Sequence, residues 1–333
     1  MKFSVIICTY NYAHLLPDTL RTLRAQTIQD FELLVVDDGS TDNTEEVVRR
    51  YAPQFRNCIY LKKPHCGPGP IRKLALEAAT GTHIAFIDAD DLWSPQYLAT
   101  VRSSFESNPK AEVVFCNGLH VRNSGLVMHA VFPRELPPLE GQVRSPRELL
   151  ALCVNFCPTG TVFLKSLYDR VGPFDVKYGL GVCEDTDWAV RAVNAGAYCI
   201  RLNQKLFLHR YHGGNITTNP KPYLEPWLGL YRDAIRGSPL GPEFERHARR
   251  FTRSYALRLL GICSPPEGRA LITQTLETLP GDLIMRCAYV STYLGSIRAL
   301  KILKWGKRLF KERFPSTRRL DLTAPPEALF EGV

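Results

Sequence analysis

Three carboxylates lie within four residues at Asp88-Ala89-Asp90-Asp91, directly after an apolar run. Carboxylates this close repel one another unless a cation lies among them, and Mg²⁺ and Mn²⁺ prefer oxygen ligands. A structural alternative is that these acids stabilise the start of a helix near Ser94, because Asp-rich strand-to-helix turns are common. Taken alone, the motif favours the structural alternative. The residues at the other strand ends are needed to choose between a cation site and a helix start.

Known phosphate-binding loops are missing from the sequence. The glycine-rich stretch 65–70 (HCGPGP) carries the first two glycines of GxGxxG, but Arg72 stands where the third is needed, and GxxxxGK[ST] does not occur. A bound diphosphate would therefore have to be neutralised by something other than backbone amides. The acids at 88–91, with a cation, are the candidate.

The elements that must position these residues alternate between strands and helices. Apolar runs predict strands, and amphipathic spacing predicts helices between them. This alternation predicts an α/β fold with a doubly wound, mainly parallel sheet. In such sheets ligands bind outside the carboxyl ends of the strands. The predicted strands are residues 3–9, 31–36, 58–61, 83–88 and 112–116, and the polar clusters at strand ends are Thr9-Tyr10-Asn11, Asp37-Asp38 and the acids at 88–91.

Composition and charge narrow the class of protein. The chain has 333 residues, 45% of them hydrophobic, which excludes a disordered chain. Its net charge of +9 is concentrated in residues 296–319, where nine basic residues face one acid. The remaining body is nearly neutral, which argues against nucleic-acid binding. We place a domain boundary near residue 218, with residues 1–218 as the catalytic domain and 219–333 as a helical C-terminal region.

Four strings resemble the signature set of the family 2 glycosyltransferases. They are VIICTYN (5–11), VVDDGSTD (35–42), FIDADD (86–91) and CEDTDWAVR (183–191), and the resemblance covers about residues 1–215. These relatives are GT-A fold enzymes that use nucleotide-activated sugars. The resemblance therefore implies a GT-A type sheet and a nucleotide-sugar donor.

Roles for individual residues follow from the resemblance. Asp37 or Asp38 would accept a hydrogen bond from the N3–H of the base, with Asp38 favoured. Asp90 would hold the metal, Mn²⁺ or Mg²⁺. Arg72 matches a family arginine that faces the nucleotide, although Lys73 replaces the family's next residue. The other residues placed along the nucleotide are Thr9, Tyr10, Asn11, Asp88 and Ala89.

Glu184-Asp185 resembles the acid pair of the family, in which the Asp is the general base. A sugar hydroxyl is a poor nucleophile, so a carboxylate must take its proton as the new bond forms. Asp187 lies four residues before Arg191, a spacing that predicts an ion pair on a helix. Trp188 would form either an apolar wall for a sugar ring or part of the core.

The segment 209–215 (HRYHGGN) ends the catalytic half. The related enzymes often place a basic residue or a histidine here, against the diphosphate or the metal. His212 is our candidate metal ligand. Arg210 and Asp91, together with Trp188, are candidates for contact with the donor or acceptor sugar.

These observations predict an inverting glycosyltransferase with Asp185 as base. A UDP-sugar is the favoured donor, while dTDP- and GDP-sugars stay open. One alternative is a sugar-nucleotide pyrophosphorylase, but residues 8–14 (CTYNYAH) lack the glycines and lysine of its triphosphate loop. The other is a degenerate GT-A protein that binds a glycan without turnover.

The basic segment 296–319 also contains large apolar residues. Lys and Arg mixed with Trp, Phe and Leu are typical of helices that lie in an anionic bilayer interface. We therefore predict a cytoplasmic protein that this segment brings to the inner face of the membrane, with a glycan or lipid-linked acceptor. The apolar residues are Ile297, Leu300, Ile302, Leu303, Trp305, Leu309, Phe310 and Phe314.

Overall fold

The structure is a computed structural model that describes residues 1–131, 139–143, 157–175, 183–215, 224–236, 238, 241–260, 263–293 and 319–331. The predicted boundary at residue 218 and the basic segment up to residue 318 lie outside these residues. Within them, no helix combines the length and the apolar composition needed to span a membrane.

The N-terminal half of the sheet is parallel, as predicted. Its strands lie in the order β3-β2-β1-β4. All seven residues of β2 are buried, as expected for a strand that helices cover on both faces. Side chains of β1 alternate between two cores, with Val5 and Ile7 on one face and Ile6 on the other. The strands are β1 (Phe3–Thr9), β2 (Phe31–Asp37), β3 (Cys58–Lys62) and β4 (His83–Phe86).

Helices connect these strands and cover the two faces. Leu16, Leu20 and Leu23 of α1 pack on the face of Val5 and Ile7, as do apolar residues of α4. Residues of α3 pack on the opposite face. The connecting helices are α1 (Leu16–Arg24), α2 (Thr44–Tyr51), α3 (Pro68–Ala78) and α4 (Tyr97–Ser107).

The second half of the sheet is mixed, which refines the predicted topology. The fifth strand of the prediction exists as the start of β6, but β9 lies between it and β4, antiparallel to both. Among the strands that the structure describes in this half, β10 alone runs parallel to β6. These strands are β5 (Leu92–Trp93), β6 (Val113–Arg122), β7 (Val127–Ala130), β8 (Leu139–Gln142), β9 (Thr161–Leu164) and β10 (Tyr198–Tyr211).

The C-terminal helices share a core with the catalytic half. Trp227, Leu230 and Tyr231 lie in the same apolar cluster as Trp188 of the catalytic half. Packing is therefore continuous across the predicted boundary. The remaining helices are α5 (Lys165–Val171), α6 (Glu184–Asn194), α7 (Leu224–Leu230), α8 (Pro242–Leu260), α9 (Pro265–Thr278), α10 (Leu283–Tyr293) and α11 (Pro326–Leu329).

Residues 319–331 return to the catalytic half. The Leu320 N–H donates to the Gly125 carbonyl at 2.9 Å, in the turn between β6 and β7. Gly125 has a φ of +78°, and a Cβ there would lie 1.9 Å from the Leu320 carbonyl oxygen. Leu322 and Leu329 complete a small core with Leu92 and Leu208. The chain that follows the basic segment is thus fixed to the β6–β7 hairpin.

Candidate active site

The loops after β1, β2 and β4 meet at one edge of the sheet, because the carboxyl ends of parallel strands lie together. The start of α6 and the end of β10 reach the same edge, as the contacts below establish. Two walls can be distinguished there. The amide wall consists of residues 9–13, 37–44 and 65–67, and the acid wall of residues 88–91, 184–185 and 209–215.

Asn11 organises the first loop of the amide wall. Its φ of +58° lies in the left-handed region that asparagine tolerates. Its N–H donates to Ser40 Oγ at 2.8 Å, and its side-chain oxygen accepts from the Thr41 N–H at 2.8 Å. The turn brings out Tyr10, which is exposed and stacks on His65 with ring centroids 4.1 Å apart. Thr9, one residue earlier, is buried.

Asp37 and Asp38 are both held by the protein. Asp38 accepts hydrogen bonds from the backbone N–H groups of Cys66 at 2.7 Å and Gly67 at 2.9 Å. Asp37 is fully buried and accepts from the Ser40 N–H at 2.7 Å and the Tyr60 hydroxyl at 2.5 Å. Both carboxylates therefore shape the wall, and the role of either one toward a base stays a prediction.

Arg72 connects Glu184 of α6 to Asp88 after β4. Its Nη1 donates to Glu184 Oε1, and its Nη2 lies 3.6 Å from Asp88 Oδ1. Burial raises the pKa of Glu184 to about 7, and Asp185 adds to the shift while Arg72 opposes it. Burial also raises the pKa of Asp88, again against Arg72. The predicted nucleotide residue Arg72 is thus the link that brings the acid pair to the strand ends.

Asp90 faces the end of β10. Its Oδ2 accepts from His212 Nε2 at 2.8 Å and from the Asn215 amide at 3.0 Å. The other ring nitrogen of His212 accepts from the Gly214 N–H at 3.1 Å. A carboxylate oxygen beside an imidazole nitrogen is a donor set that suits Mn²⁺, and suits Mg²⁺ less well. The two predicted metal ligands therefore meet, and their chemistry fits a divalent cation.

Asp91 lies behind this pair and has no exposed surface. Its carboxylate accepts from the Thr159 hydroxyl at 2.6 Å, the Arg210 N–H at 2.9 Å and His209 Nδ1 at 3.1 Å. Asp91, Cys157 and His209 are close enough to share an ion, yet these hydrogen bonds satisfy Asp91 without one. Burial lowers the pKa of His209, but the neighbouring Asp91 carboxylate outweighs burial, and this pKa lies well above its usual value. The expectation that Asp91 contacts a sugar is wrong for this structure, because the carboxylate is enclosed.

Trp188 takes the second of its two predicted roles, as part of the core, whereas Arg210 differs from expectation. Trp188 is fully buried in the core, with its ring centroid 4.5 Å from that of Phe163. Arg210 is buried, and its Nη1 donates to Asp18 Oδ2 at 3.0 Å. Neither side chain reaches the surface of the site. Trp188 therefore supports α6 from within, and Arg210 supports the loop of Asp91.

Asp185 is the partly exposed member of the acid pair. It lies at the second residue of α6, and its Oδ1 accepts from the Thr186 N–H at 2.6 Å. Asp187 is fully buried and pairs with Arg191 Nε at 2.7 Å, as its spacing predicts. Glu184 is buried and paired with Arg72, so Asp185 is the more accessible carboxylate of the pair.

Four further residues lie at the candidate site and were not among the residues that we predicted individually. His65 stacks on Tyr10 and lies 2.8 Å from Asp38 Oδ2. Tyr12 packs edge-on to His212. Thr159 and Asn215 bind Asp91 and Asp90. Only the glycine-rich settings of His65 and Asn215 signal a site in the sequence.

Comparison with known proteins identifies a family for this chain. Residues 4–172 match the family described as Glycosyl transferase family 2. An uncharacterized glycosyltransferase of Nostoc sp. is 30% identical over 224 residues, which cover 65% of this chain and 66% of that relative, just under two thirds.

Solved structures share the fold. The Staphylococcus aureus TarS fragment 1–349 in complex with UDP-GlcNAc superimposes with a TM-score of 0.68 at 20% identity, covering 93% of this chain and 92% of that one. The mannosyltransferase PcManGT of Pyrobaculum calidifontis, in complex with GDP-Man and Mn²⁺, gives a TM-score of 0.58 at 21% identity, covering 92% and 79%.

The mixed sheet, with the candidate site at the carboxyl ends of its parallel strands, has the GT-A fold. The chain belongs to glycosyl transferase family 2.

Proposed function

We propose that the chain transfers a sugar from a nucleoside-diphosphate sugar to an acceptor hydroxyl in one displacement, with inversion at the anomeric carbon. The observation that carries this proposal is the meeting of Asp90 with His212 on the acid wall, which also contains the acid pair held by Arg72. UDP-sugars are the favoured donors. The solved TarS complex with UDP-GlcNAc supports this choice, while the PcManGT complex keeps GDP-sugars as the comparison.

Asp90 and His212 would hold a divalent cation, with Mn²⁺ favoured because a nitrogen joins the oxygen ligands. When bound, the cation neutralises charge on the departing diphosphate. The stacked Tyr10 and His65 present an aromatic surface on the amide wall, where we place the base of the donor. Asp88 of the acid wall, 3.6 Å from Arg72 Nη2, is assigned to the ribose.

Asp185 takes the proton of the acceptor hydroxyl. Its Oδ1 is occupied by the N–H of Thr186. The described residues donate no hydrogen bond to its Oδ2, so that oxygen is available as a proton acceptor. Arg72 holds the adjacent Glu184 and keeps the start of α6 in place beside the acid wall. A positioned base of this kind contributes about 10²–10⁴ to the rate.

We further propose a glycan or lipid-linked acceptor, and a place at the cytoplasmic face of the membrane. The basic and aromatic composition of residues 296–319 supports this placement.

A screen of UDP-, dTDP- and GDP-sugars, with and without Mn²⁺, tests the proposal. Binding to the folded state alone stabilises it by about 2.7 kcal/mol when the ligand is at 100 times Kd, so the true donor should raise the melting temperature. We expect UDP and one UDP-sugar to do so only with Mn²⁺, and that sugar to be hydrolysed or transferred.

Asp90→Asn should fold normally and lose the Mn²⁺-dependent response to UDP. Glu106→Gln, an exposed change on α4, is the matched control and should keep it. If Asp90→Asn binds UDP as the parent does, with and without Mn²⁺, the metal has no part in the mechanism. Donor binding without any turnover would identify a degenerate binding protein instead.

A further inference from the structure

Helix α10 presents an apolar face to solvent. Leu283 is 73% exposed, Ile284 47% and Val290 57%, and Cys287 is exposed as well. Leu283, Cys287 and Val290 follow the spacing i, i+4, i+7, which places them in one stripe along the helix. Leu283, Ile284 and Val290 are three of the five large apolar residues that are exposed in the described part of the chain.

The opposite face of α10 is firmly attached to the protein. Met285 is fully buried in a cluster with Leu228 of α7 and Ile272 of α9. Asp282 accepts from the Met285 N–H at 3.2 Å at the start of the helix, and Arg253 of α8 lies 3.4 Å from the same carboxylate. The exposed stripe is therefore a fixed surface rather than the side of a loose helix.

The charge on this helix and on the sequence that follows it is positive. Residues 283–293 (LIMRCAYVSTY) contain no acid, and Arg286 is exposed beside the stripe. Three residues beyond the helix begins the segment 296–319, with nine basic residues and one acid. An apolar stripe continued by Lys, Arg, Trp and Phe matches the composition of surfaces that lie in an anionic bilayer interface.

We propose that the face of α10 formed by Leu283, Ile284, Cys287 and Val290 docks onto an anionic lipid surface, to which the net positive charge of the following sequence, residues 296–319, adds electrostatic attraction. This deepens the proposed function, since it names the part of the fold that would meet a membrane carrying the acceptor. A second copy of the chain is the less favourable occupant, because it would bring two strongly basic segments together.

Co-sedimentation of the full-length chain with vesicles tests the proposal, using phosphatidylcholine alone and phosphatidylcholine with phosphatidylglycerol. We expect binding to the anionic vesicles only. The variant Leu283→Ser/Val290→Ser should bind them at least about tenfold more weakly, because two apolar side chains no longer enter the interface. The matched control Thr273→Ser/Gln274→Ser changes two exposed residues on the adjacent α9 and should bind as the parent does.

Salt separates the two contributions to binding. Raising the salt concentration should weaken the parent, since the basic segment acts through screened charges. Lys307→Gln/Lys311→Gln should reduce this salt dependence, whereas Leu283→Ser/Val290→Ser should leave it unchanged. Mn²⁺-dependent binding of UDP, measured on the same variants, should stay at the parent level in all of them. Absence of this binding in the parent would count against the proposed function and not against the membrane face.

Three results would overturn the proposal. The first is no binding of the parent to anionic vesicles at low salt, and the second is equal binding by the parent and Leu283→Ser/Val290→Ser. The third is a parent that sediments as a dimer, with the serine variant monomeric and equally bound to vesicles, which would make a second copy the occupant of α10.

Discussion

The walls of the site differ in the groups that bind four of their carboxylates, Asp38 and Asp42 on the amide wall and Asp90 and Glu184 on the acid wall. On the amide wall, Asp38 is bound by the N–H groups of Cys66 and Gly67, and Asp42 by the N–H of Ala13 at 2.9 Å. On the acid wall, Asp90 is bound by the side chains of His212 and Asn215, and Glu184 by that of Arg72.

This difference predicts a rigid amide wall and an acid wall whose hydrogen-bond partners can be exchanged. A backbone amide cannot leave its partner without moving the loop, so the amide wall has a fixed shape suited to a flat ring. Side-chain partners can exchange for a cation or a diphosphate at little cost to the backbone. The protonation equilibria differ in the same sense. Hydrogen bonds from Thr44 and Ala13 outweigh burial and lower the pKa of Asp42, whereas burial raises that of Glu184.

The largest expected effect is on the acid wall, at Asp185. Asp185→Asn keeps the shape of the side chain and removes the base, so transfer should fall by about 10²–10⁴ while donor binding survives. Steady-state kinetics and UDP binding on the same sample measure both. Asp187→Asn is the neighbouring control and should lower stability through its bond to Arg191. If Glu184→Gln abolishes transfer and Asp185→Asn does not, the roles within the pair are exchanged.

Breaking the Arg72–Glu184 pair should cost stability. Arg72→Met leaves Glu184 buried without its partner, and the free energy of unfolding should fall by about 3–5 kcal/mol. In Arg72→Met/Glu184→Met both charges are replaced by apolar side chains, so most of the loss should be recovered. Urea unfolding at pH 7.5 measures all three proteins. A double variant as unstable as Arg72→Met would show that the arginine acts through other contacts.

On the amide wall, Asp38→Asn should affect the fold and not the metal. One side-chain oxygen replaces two, so the N–H of Cys66 or Gly67 loses its acceptor, at a cost of about 1–3 kcal/mol. The Mn²⁺ concentration that half-saturates UDP binding should not change, in contrast to Asp90→Asn. A shift of that concentration in Asp38→Asn would remove the distinction between the walls.

The smallest effect is on the pH dependence of stability. The pKa of Glu184 is about 7, above its usual 4.5, so the folded state binds this proton more tightly than the unfolded state does. The stability that the bound proton contributes is lost as the pH rises from 4.5 through 7. Relative to Glu184→Gln, the parent should lose stability from pH 6 to 7, by at most about 1.4 kcal/mol.

Asp42→Asn provides the opposite sign. The pKa of Asp42 lies below its usual 3.8, so its contribution is present above that pH and disappears as pH falls below it. Relative to Asp42→Asn, the parent should therefore lose stability on acidification from pH 4. The difference in stability between these two proteins should be the same at pH 6 and at pH 7. If the free energies of unfolding of the parent and of Glu184→Gln change equally between pH 6 and pH 7, the raised pKa of Glu184 on the acid wall is contradicted.

Much of the site followed from the sequence, and the reason is local. Apolar runs fix the strands, and parallel strands must end at one edge, so Asn11, Asp38 and Asp90 could be assigned to one site without a structure. The i,i+4 spacing likewise gave the Asp187–Arg191 pair, because a helix alone brings those residues together.

Only the tertiary structure decided which of the acids are accessible. Asp90 and Asp91 are neighbours in sequence, yet Asp91 is enclosed by Thr159, from the segment before β9, and by His209. The partner of Glu184 lies 112 residues earlier in the chain, and that of Asp90 lies 122 residues later. Strand and helix periodicity extends over only a few residues, whereas burial depends on segments that packing brings from far along the chain. The sequence therefore determined which carboxylates lie at the edge of the sheet, and the insertion of β9 and the docking of α6 determined which of them are accessible there.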